Sequence, residues 1–195
     1  MAVADIAIRV ATPGDASLLA ELGHRTFRHA FSADNSESDM ASYLATAFSD
    51  DIQARELADE SSVFLIADVE SSAVGYARLL FRPAPACVPG ENPVEIARFY
   101  ADSSWIGRGV GPALMAACLD IAARHGCDVV WLSTWQRNAR AGAFYTKWGF
   151  RVVGEQEFVV GHDIQHDLVM ARPPGRLRVS LPADMRGGIA PSTLT

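Results

Sequence analysis

A glycine-rich turn between a predicted strand and a predicted helix carries the clearest chemical signal in this chain. Gly107, Gly109 and Gly111 occupy alternate positions within the stretch 99–112. Glycines spaced in this way let the backbone approach a ligand closely and adopt dihedral angles closed to other residues. The helix that follows offers unpaired N–H groups and the positive end of its dipole. The pattern indicates either a cradle for an anion such as a phosphate or a tight structural turn.

The same spacing excludes three common phosphate-binding motifs. A dinucleotide fingerprint needs glycine where this chain has Pro112, and it normally lies early in the sequence. The phosphate loop of ATPases ends in Gly-Lys-Ser/Thr, which is absent here. A kinase glycine loop joins two strands, whereas this turn joins a strand to a helix.

Metal and disulfide chemistry find no support in the spacing of the cysteines and histidines. Cys87, Cys118 and Cys127 form no Cys-x-x-Cys pair, and their odd number favours a reducing compartment. His162 and His166 are four residues apart in or beside a predicted hairpin turn, where strand positions lie ~13 Å apart. We therefore predict no metal site.

Composition and charge describe a globular chain with an acidic body. The 195 residues are 49% hydrophobic and 21% charged, and no apolar run approaches the ~20 residues of a membrane span. Segment 172–195 has four arginines and one aspartate, a charge of +3. Because the whole chain has a net charge of −6, residues 1–171 have a net charge of −9. An acidic body argues against nucleic acid and favours a cationic substrate. The N-terminus shows no basic or signal-type segment, so we expect a cytoplasmic protein with no membrane partner.

Seven strands and five helices are predicted to position the glycine turn. Strands are expected at 6–10, 63–69, 74–81, 94–101, 129–134, 150–160 and 165–171. Helices are expected from 13 or 15 to about 31, from a cap at Ser38 or Asp39, after Asp50, from the glycine turn to Gly126, and from the cap Asn138 to Trp148. This order predicts an α/β fold with a mixed, mostly antiparallel sheet of about seven strands flanked by helices. Residues 1–171 form one predicted domain, and 172–195 a flexible tail.

Two motifs in this order resemble the GNAT superfamily of N-acetyltransferases. The run Ile106–Gly111 aligns with the family's Gln/Arg-x-x-Gly-x-Gly/Ala turn, and a second motif matches N-x-x-A-x-x-x-Y-x-x-x-G-F. The second motif comprises Asn138, Ala141, Tyr145, Gly149 and Phe150. Residues 95–100, 131–138 and 158–170 further resemble the PaiA-type spermine/spermidine acetyltransferases. Ile106 and Pro112 depart from the family turn, the first removing a side-chain donor and the second a backbone N–H.

The resemblance implies an acetyl-CoA-dependent N-acetyltransferase for a primary amine, and it assigns residues to the cosubstrate. The backbone of Phe99, Tyr100 and Ala101 should pair with the pantetheine amides as an added strand. Asn138 should contact the pantetheine arm as well as cap its helix. Tyr145 should protonate the departing CoA thiolate. The pyrophosphate should lie on the stretch Gly107, Arg108, Gly109, Val110, Gly111 and Pro112.

The acceptor amine needs a proton acceptor, for which Glu95 is the sequence candidate. Alkylamines have a pKa near ~10, so about one molecule in a thousand is the neutral nucleophile at pH 7. A base or a proton-removing water chain is therefore required. Glu95 lies at the start of the central strand, where the alternative is a carboxylate that faces solvent or only attracts the amine. Asp34, Glu37 and Asp39 form an acidic stretch that either attracts a polyamine or is simply exposed.

Other acceptors and a non-catalytic role remain open from the sequence. The same chemistry would acetylate a protein N-terminus or the amine of an antibiotic. A silent acyl-CoA-binding regulatory module would retain the cosubstrate residues and lack transfer. The expected partners are a small-molecule amine and, as a second possibility, another copy of the chain in a homodimer.

Overall fold

A seven-stranded mixed sheet forms the centre of the computed structural model, which describes residues 5–32, 35–160 and 163–175. The spatial order is β1-β2-β3-β4-β5-β7-β6, and β4–β5 is the parallel pair among otherwise antiparallel neighbours. The strands are β1 Ile6–Val10, β2 Ser62–Val69, β3 Ser72–Leu80, β4 Pro93–Ala101, β5 Val129–Trp135, β6 Arg151–Val160 and β7 Asp163–Arg172. The predicted α/β fold class is thus confirmed.

Five helices connect the strands, and their ends follow the capping residues. They are α1 Ala16–Phe31, α2 Glu37–Ala47, α3 Asp50–Ala58, α4 Val110–Arg124 and α5 Ala139–Lys147. The predicted cap of α2 at Ser38 or Asp39 was wrong, because Ser36 is the N-cap and its hydroxyl accepts a hydrogen bond from Asp39 N at 3.1 Å. The chain offers several capping side chains there, and Ser36 is the one with extended backbone. No helix in the described residues is long and apolar enough to cross a membrane.

Two apolar layers cover the sheet on opposite faces. Val110, Leu114 and Met115 of α4 are completely buried in the larger layer, which also contains Tyr145 and Phe150. The smaller layer joins Leu19 and Phe27 of α1 to Met40 and Leu44 of α2 and to Tyr76 of β3. Neighbouring residues of β4 divide between them: Phe99 packs on the larger layer and Tyr100 on the smaller. Strand β4 therefore lies between two helical layers, one formed by α4 and α5 and the other by α1 and α2.

An ion-pair cluster lies under the smaller layer and joins α3 to two strands. Glu56 accepts hydrogen bonds from Arg78 at 2.6 Å and from Arg98 at 3.0 Å. The side chains of Glu56, Arg78 and Arg98 are only 18%, 11% and 13% exposed. One carboxylate thus serves two largely buried guanidinium groups.

A second ion pair ties β1 to the start of the first helix. Arg9 Nη1 and Nη2 lie 3.0 and 2.9 Å from the two carboxylate oxygens of Asp15, and Arg9 Nε lies 2.8 Å from Asp68. Asp15 also accepts hydrogen bonds from the backbone N–H and hydroxyl of Thr12. The hydrogen bonds from Arg9, with those from Thr12, lower the pKa of Asp15 to about 2.

The last described residues extend past the predicted domain boundary at 171. Strand β7 continues through Arg172, whose buried guanidinium donates to Trp148 O at 2.6 Å and to Gly175 O. Residues 172–175 are therefore anchored to the end of α5. The rest of the predicted tail, 176–195, lies outside the described residues.

The parallel pair β4–β5 is short, and the two strands separate after it. Pairing extends only over Pro93–Glu95 opposite Val129–Trp131. From Ile96 onward β4 keeps its ladder with β3 but has no strand on its other side among the described residues. The separation of the two strands beyond this segment opens a gap in the sheet between residues 96–101 of β4 and 133–135 of β5.

Candidate active site

A cavity of about 410 Å³ occupies the gap between β4 and β5. Its walls come from both helical layers: α1 and α2 on one side, and the glycine turn with α5 on the other. The lining includes the separated parts of both strands, residues 96–101 and 133–135. The cavity therefore connects the two faces of the sheet at the point where the ladder is interrupted.

The glycine turn has the backbone geometry of an anion cradle. Gly107 and Gly109 have φ values of 78° and 98°, a region that favours glycine, and both line the cavity. A Cβ at Gly107 would meet nothing within 4 Å, so conformation and not crowding calls for glycine there. The N–H groups of Gly107 and Gly109 make no hydrogen bond to the backbone of the described residues. With the first-turn N–H groups of α4, they supply several donors for a phosphate.

Three other residues of the predicted cradle contribute in different ways. Arg108 N donates to Trp105 O at 3.2 Å, which leaves the Arg108 guanidinium, not its N–H, for an anion. That guanidinium lies 5.7 Å from the Trp105 ring centre. Val110 is fully buried, so only its backbone N–H can take part. Pro112 is the third residue of α4, where an N–H would have no intrahelical acceptor, and it costs the helix nothing.

The predicted pantetheine strand has one open edge. Phe99, Tyr100 and Ala101 pair with Ala77, Tyr76 and Gly75 of β3. All three line the cavity on the side where β5 has moved away. An extended ligand with amide groups can add to this edge as a further strand.

Asn138 acts as the N-cap of α5 at the wall of the cavity. Its side-chain oxygen accepts a hydrogen bond from Ala141 N at 3.1 Å, and its own N–H donates to Trp135 O at 2.8 Å. The cap fixes the start of the helix that carries Tyr145. The carboxamide NH₂ group is not used by the cap.

Tyr145 projects from α5 into the cavity through an aromatic environment. It is 8% exposed, and its ring centre lies 5.6 to 6.1 Å from those of Phe144, Phe150 and Phe99. Burial, followed by the nearby Cys118 thiol, raises the pKa of the Tyr145 hydroxyl above its ordinary value. The hydroxyl is therefore protonated at neutral pH and can act as a donor in the cavity.

Glu95 lies outside the cavity lining, as do Arg108 and Val110 among the predicted site residues. Arg82 Nε donates to Glu95 Oε2 at 2.8 Å, and Arg82 Nη2 lies 2.6 Å from the same oxygen. The carboxylate is 9% exposed beneath this arginine, which comes from the loop after β3. The structure therefore pairs Glu95 with Arg82 and does not bring it to Tyr145.

Asp167 is the carboxylate that the structure brings to the cavity, and the sequence did not single it out as a site residue. It lies on β7 opposite Trp135 of β5 and is 6% exposed. Its Oδ1 is buried and has no hydrogen-bond partner among the described residues. Burial raises the pKa of the Asp167 carboxyl, and the Ser133 hydroxyl opposes that shift. The signal in the sequence was an acidic residue on the same strand face as the buried Val169.

Aromatic rings form the wall of the cavity on the α1 and α2 side. Phe27 and Tyr43 stack at 4.5 Å between ring centres, and Phe31 lies 6.3 Å from Trp135. Phe48 completes this wall. Sequence reasoning did not single out these rings, because their place at the cavity depends on how α1 and α2 pack against the sheet.

The predicted acidic stretch and histidine pair do not line the cavity where they are described. Glu37 and Asp39 lie in the first turn of α2, where negative charge stabilises the helix, and Asp39 accepts a hydrogen bond from the Ser36 hydroxyl. Asp34 and His162 lie outside the described residues. Among the described residues, no three His, Cys, Asp or Glu side chains are grouped so that they could hold a metal ion.

Comparison with known proteins identifies the class of this fold and site. The sequence model of the acetyltransferase (GNAT) family matches residues 25–150. The chain is 30% identical over 151 residues to an N-acetyltransferase of Lactobacillus delbrueckii subsp. lactis, covering 77% of this chain and 87% of the relative. It is 33% identical over 158 residues to an N-acetyltransferase of Mycobacterium bovis, covering 81% and 97%. The chain belongs to the acetyltransferase (GNAT) family.

A solved structure supports the same assignment at the level of the fold. The PaiA N-acetyltransferase from Thermoplasma acidophilum, in complex with coenzyme A, is similar with a TM-score of 0.70 at 20% identity. The similarity covers 87% of this chain and 99% of that one. This protein is an acetyl-CoA-dependent N-acetyltransferase, which confirms the predicted enzyme class and cosubstrate.

Proposed function

We propose that the acetyl acceptor is the primary amine of a small cationic molecule, with polyamines as the first class to test. The observation that carries this proposal is the wall of Phe27, Phe31, Tyr43 and Trp135 beside the Asp167 carboxylate. Aromatic faces attract ammonium groups and cover methylene chains, and a carboxylate attracts the same cation. The motif resemblance to PaiA-type enzymes and the fold similarity to PaiA support the same class.

Acetyl-CoA is assigned to the opposite side of the cavity. The N–H groups of Gly107, Gly109 and Gly111 would hold the pyrophosphate, assisted by the Arg108 side chain. The open edge of Phe99–Ala101 would pair with the pantetheine amides, and the carboxamide of Asn138 would contact the same arm. Bound there, acetyl-CoA supplies an activated thioester carbonyl between the two layers.

Tyr145 is the proposed proton donor to the leaving thiolate. Tyr145 lines the cavity, and its hydroxyl stays protonated at neutral pH because burial raises its pKa. Departure of a neutral thiol costs less than release of a thiolate into a largely apolar site. The predicted role of Glu95 as base stays a prediction, and its pairing with Arg82 favours a structural role.

A thiol-release assay with spermine, spermidine, putrescine and butylamine tests this function. We expect amine-dependent release of CoA, and we expect Tyr145→Phe to lower kcat on the order of 10²-fold with little change in acetyl-CoA affinity. Tyr76→Phe is the matched control, because Tyr76 is fully buried, does not line the cavity, and has an unpaired hydroxyl within the described residues.

Two results would count against the proposal. Absence of turnover with every amine in the panel would exclude a small-amine acceptor. Equal loss of kcat in the Tyr145 and Tyr76 variants would exclude a specific role for the Tyr145 hydroxyl. A peptide N-terminus and an aminoglycoside amine, added as competing acceptors, separate the remaining acceptor classes.

A further inference from the structure

Asp167 is a buried carboxylate that the fold leaves unsatisfied at the acceptor side of the cavity. It is 6% exposed, and Oδ1 has no hydrogen-bond partner among the described residues. Leaving a buried polar group unpaired is costly, and for a charged group more so. A ligand that donates a hydrogen bond or carries a positive charge would offset the cost of this unpaired oxygen.

The charges around Asp167 do not supply that donor from within the protein. Asp167 is the only carboxylate among the cavity-lining residues of the described chain. Arg98 is the buried cation in the lining, and its guanidinium is bound to Glu56 and Gln53. No ion pair to Asp167 is present among the described residues. A cation that enters the cavity can supply the missing partner.

Asp167 lies on the face of the sheet that contains the aromatic wall, and this position fixes where a bound cation would sit in the cavity. Asp167 is paired in register with Trp135, so the two side chains lie on the same face of the sheet. Trp135 contacts Phe31 of α1, which places this face with the aromatic wall. Tyr145 belongs to the layer on the opposite face and reaches the same cavity through the gap in the sheet. An acceptor amine bound beside Asp167 would thus face, across the gap in the sheet, the side of the cavity that contains Tyr145 and is proposed to hold the thioester.

We propose that Asp167 binds the ammonium group of the acceptor and takes its proton as the general base of acetyl transfer. This inference rests on the proposed transfer to a small amine. It assigns proton removal to β7 instead of to Glu95, whose carboxylate is held by Arg82 outside the cavity. Burial that raises the pKa of Asp167 also makes it a stronger base than an exposed carboxylate.

The proton and electron balance of the step is complete with the groups named. The acceptor ammonium gives one proton to the Asp167 carboxylate, and the neutral nitrogen attacks the thioester carbonyl carbon. The N–C bond forms, the C–S bond breaks, and its electron pair leaves on sulfur. The Tyr145 hydroxyl protonates that sulfur, and the second nitrogen proton restores the tyrosine through solvent. Asp167 then releases its proton to water.

The pH dependence of this step must be separated from the other titratable groups that face the cavity. They come from α1, α2, β4 and α5, and they are His29, Tyr43, Arg98, Tyr100, Arg140 and Tyr145. Burial raises the pKa of Tyr43, Tyr100 and Tyr145, so each of them loses its proton at higher pH than an exposed tyrosine does. His29 is the group that needs its own control variant, His29→Gln.

The test measures kcat/KM for spermidine, butylamine and benzylamine from pH 5 to 10 in the wild type, Asp167→Asn, Asp167→Glu and Glu95→Gln. Asp120→Asn is the matched control, because Asp120 is an exposed aspartate of α4 paired with Arg124. Acetyl-CoA affinity and the thermal midpoint are measured for each variant. These two readouts separate loss of the base from loss of the fold or of cosubstrate binding.

We expect Asp167→Asn to lower kcat/KM at pH 7 by about 10²-fold or more while acetyl-CoA affinity is retained. Its activity should then rise about tenfold per pH unit toward the amine pKa, because only pre-formed neutral amine reacts. Asp167→Glu should restore part of the activity and the wild-type form of the profile. In the wild type, the pH at which kcat/KM levels off should be the same for butylamine and for the less basic benzylamine.

The inference is overturned if Asp167→Asn keeps the wild-type pH profile. It is also overturned if the tenfold rise of kcat/KM per pH unit is found in Glu95→Gln and not in Asp167→Asn. A wild-type profile whose acidic limb shifts with the basicity of the amine also overturns it, and that result needs no variant to fold. Wild-type enzyme that acetylates none of the three amines refutes the proposed small-amine function itself. That outcome is distinct, since it appears before any Asp167 variant is compared.

Discussion

Replacing Gly107 by alanine isolates the contribution of backbone conformation to cosubstrate binding. Gly107 has φ 78°, and an added Cβ would contact nothing within 4 Å, so the substitution brings strain without a clash. Gly126 at the end of α4 provides a matched control, with φ 69° and equally open surroundings. Gly107 lines the cavity, whereas Gly126 does not.

The expected size follows from the cost of a left-handed conformation. An alanine held at positive φ costs roughly 1–2 kcal/mol relative to its preferred conformations. Gly126→Ala should therefore lose up to about this much free energy of unfolding, which is about 2–8 °C in Tm for a chain of this size, and Gly107→Ala should lose less. In Gly107→Ala the turn can relax when no ligand is present, and binding must restore its shape. The Kd for acetyl-CoA should then rise by about 5–30-fold, the same free energy expressed as affinity.

Calorimetric titration with acetyl-CoA and a thermal melt of both variants test this reasoning. We expect Gly107→Ala to lose affinity and Gly126→Ala to keep it, while Gly107→Ala without ligand melts no lower than Gly126→Ala. Unchanged affinity in Gly107→Ala would show that the N–H groups of the turn do not hold the cosubstrate. Equal loss of affinity in both variants would show that the effect comes from global stability.

Two further substitutions test the ion pairs that support the site. Glu56→Gln should lower the free energy of unfolding by about 3–5 kcal/mol, because it leaves the buried Arg78 and Arg98 without their shared counter-charge. Denaturant unfolding measures this loss. The control is Asp120→Asn, at an exposed ion pair, which should change the free energy of unfolding little. Asp15→Asn should destabilise the protein near neutral pH, and the difference from wild type should vanish with acid. A lowered folded-state pKa stabilises above the ordinary aspartate pKa of 3.8, and that stabilisation is lost as pH falls to about 2, so unfolding measured at pH 6, 4, 3 and 2 should show the two proteins converging.

The sequence allowed the element order and the glycine turn to be predicted because both depend on local signals. Strand alternation, helix caps such as Asn138 and positive-φ glycines act within a few residues of their own position. The cap of α2 could not be chosen locally, because Ser36, Ser38 and Asp39 all qualify by residue type. Only the extended backbone at Ser36 decides between them.

The acceptor side of the site depends on contacts between distant segments, which no local pattern contains. Glu95 lies at the start of the strand that leads to the glycine turn, but an arginine 13 residues earlier binds its carboxylate. Asp167 reaches the cavity because β7 pairs with β5, at a register that places it opposite Trp135. In each case the tertiary structure decides which partner a polar side chain meets. The sequence shows only that a residue of the right type is present.

The interrupted ladder between β4 and β5 also gives the cosubstrate a mechanical role. Among the described residues, the two groups of strands, β1–β4 and β5–β7, pair only through the short segment Pro93–Glu95. Acetyl-CoA bound as proposed along Phe99–Ala101 would add a second connection between the two halves of the sheet. Amide hydrogen exchange along the separated parts of both strands should then slow on acetyl-CoA binding and quicken after the thiol product leaves. Each catalytic cycle would thus stiffen and relax the sheet once.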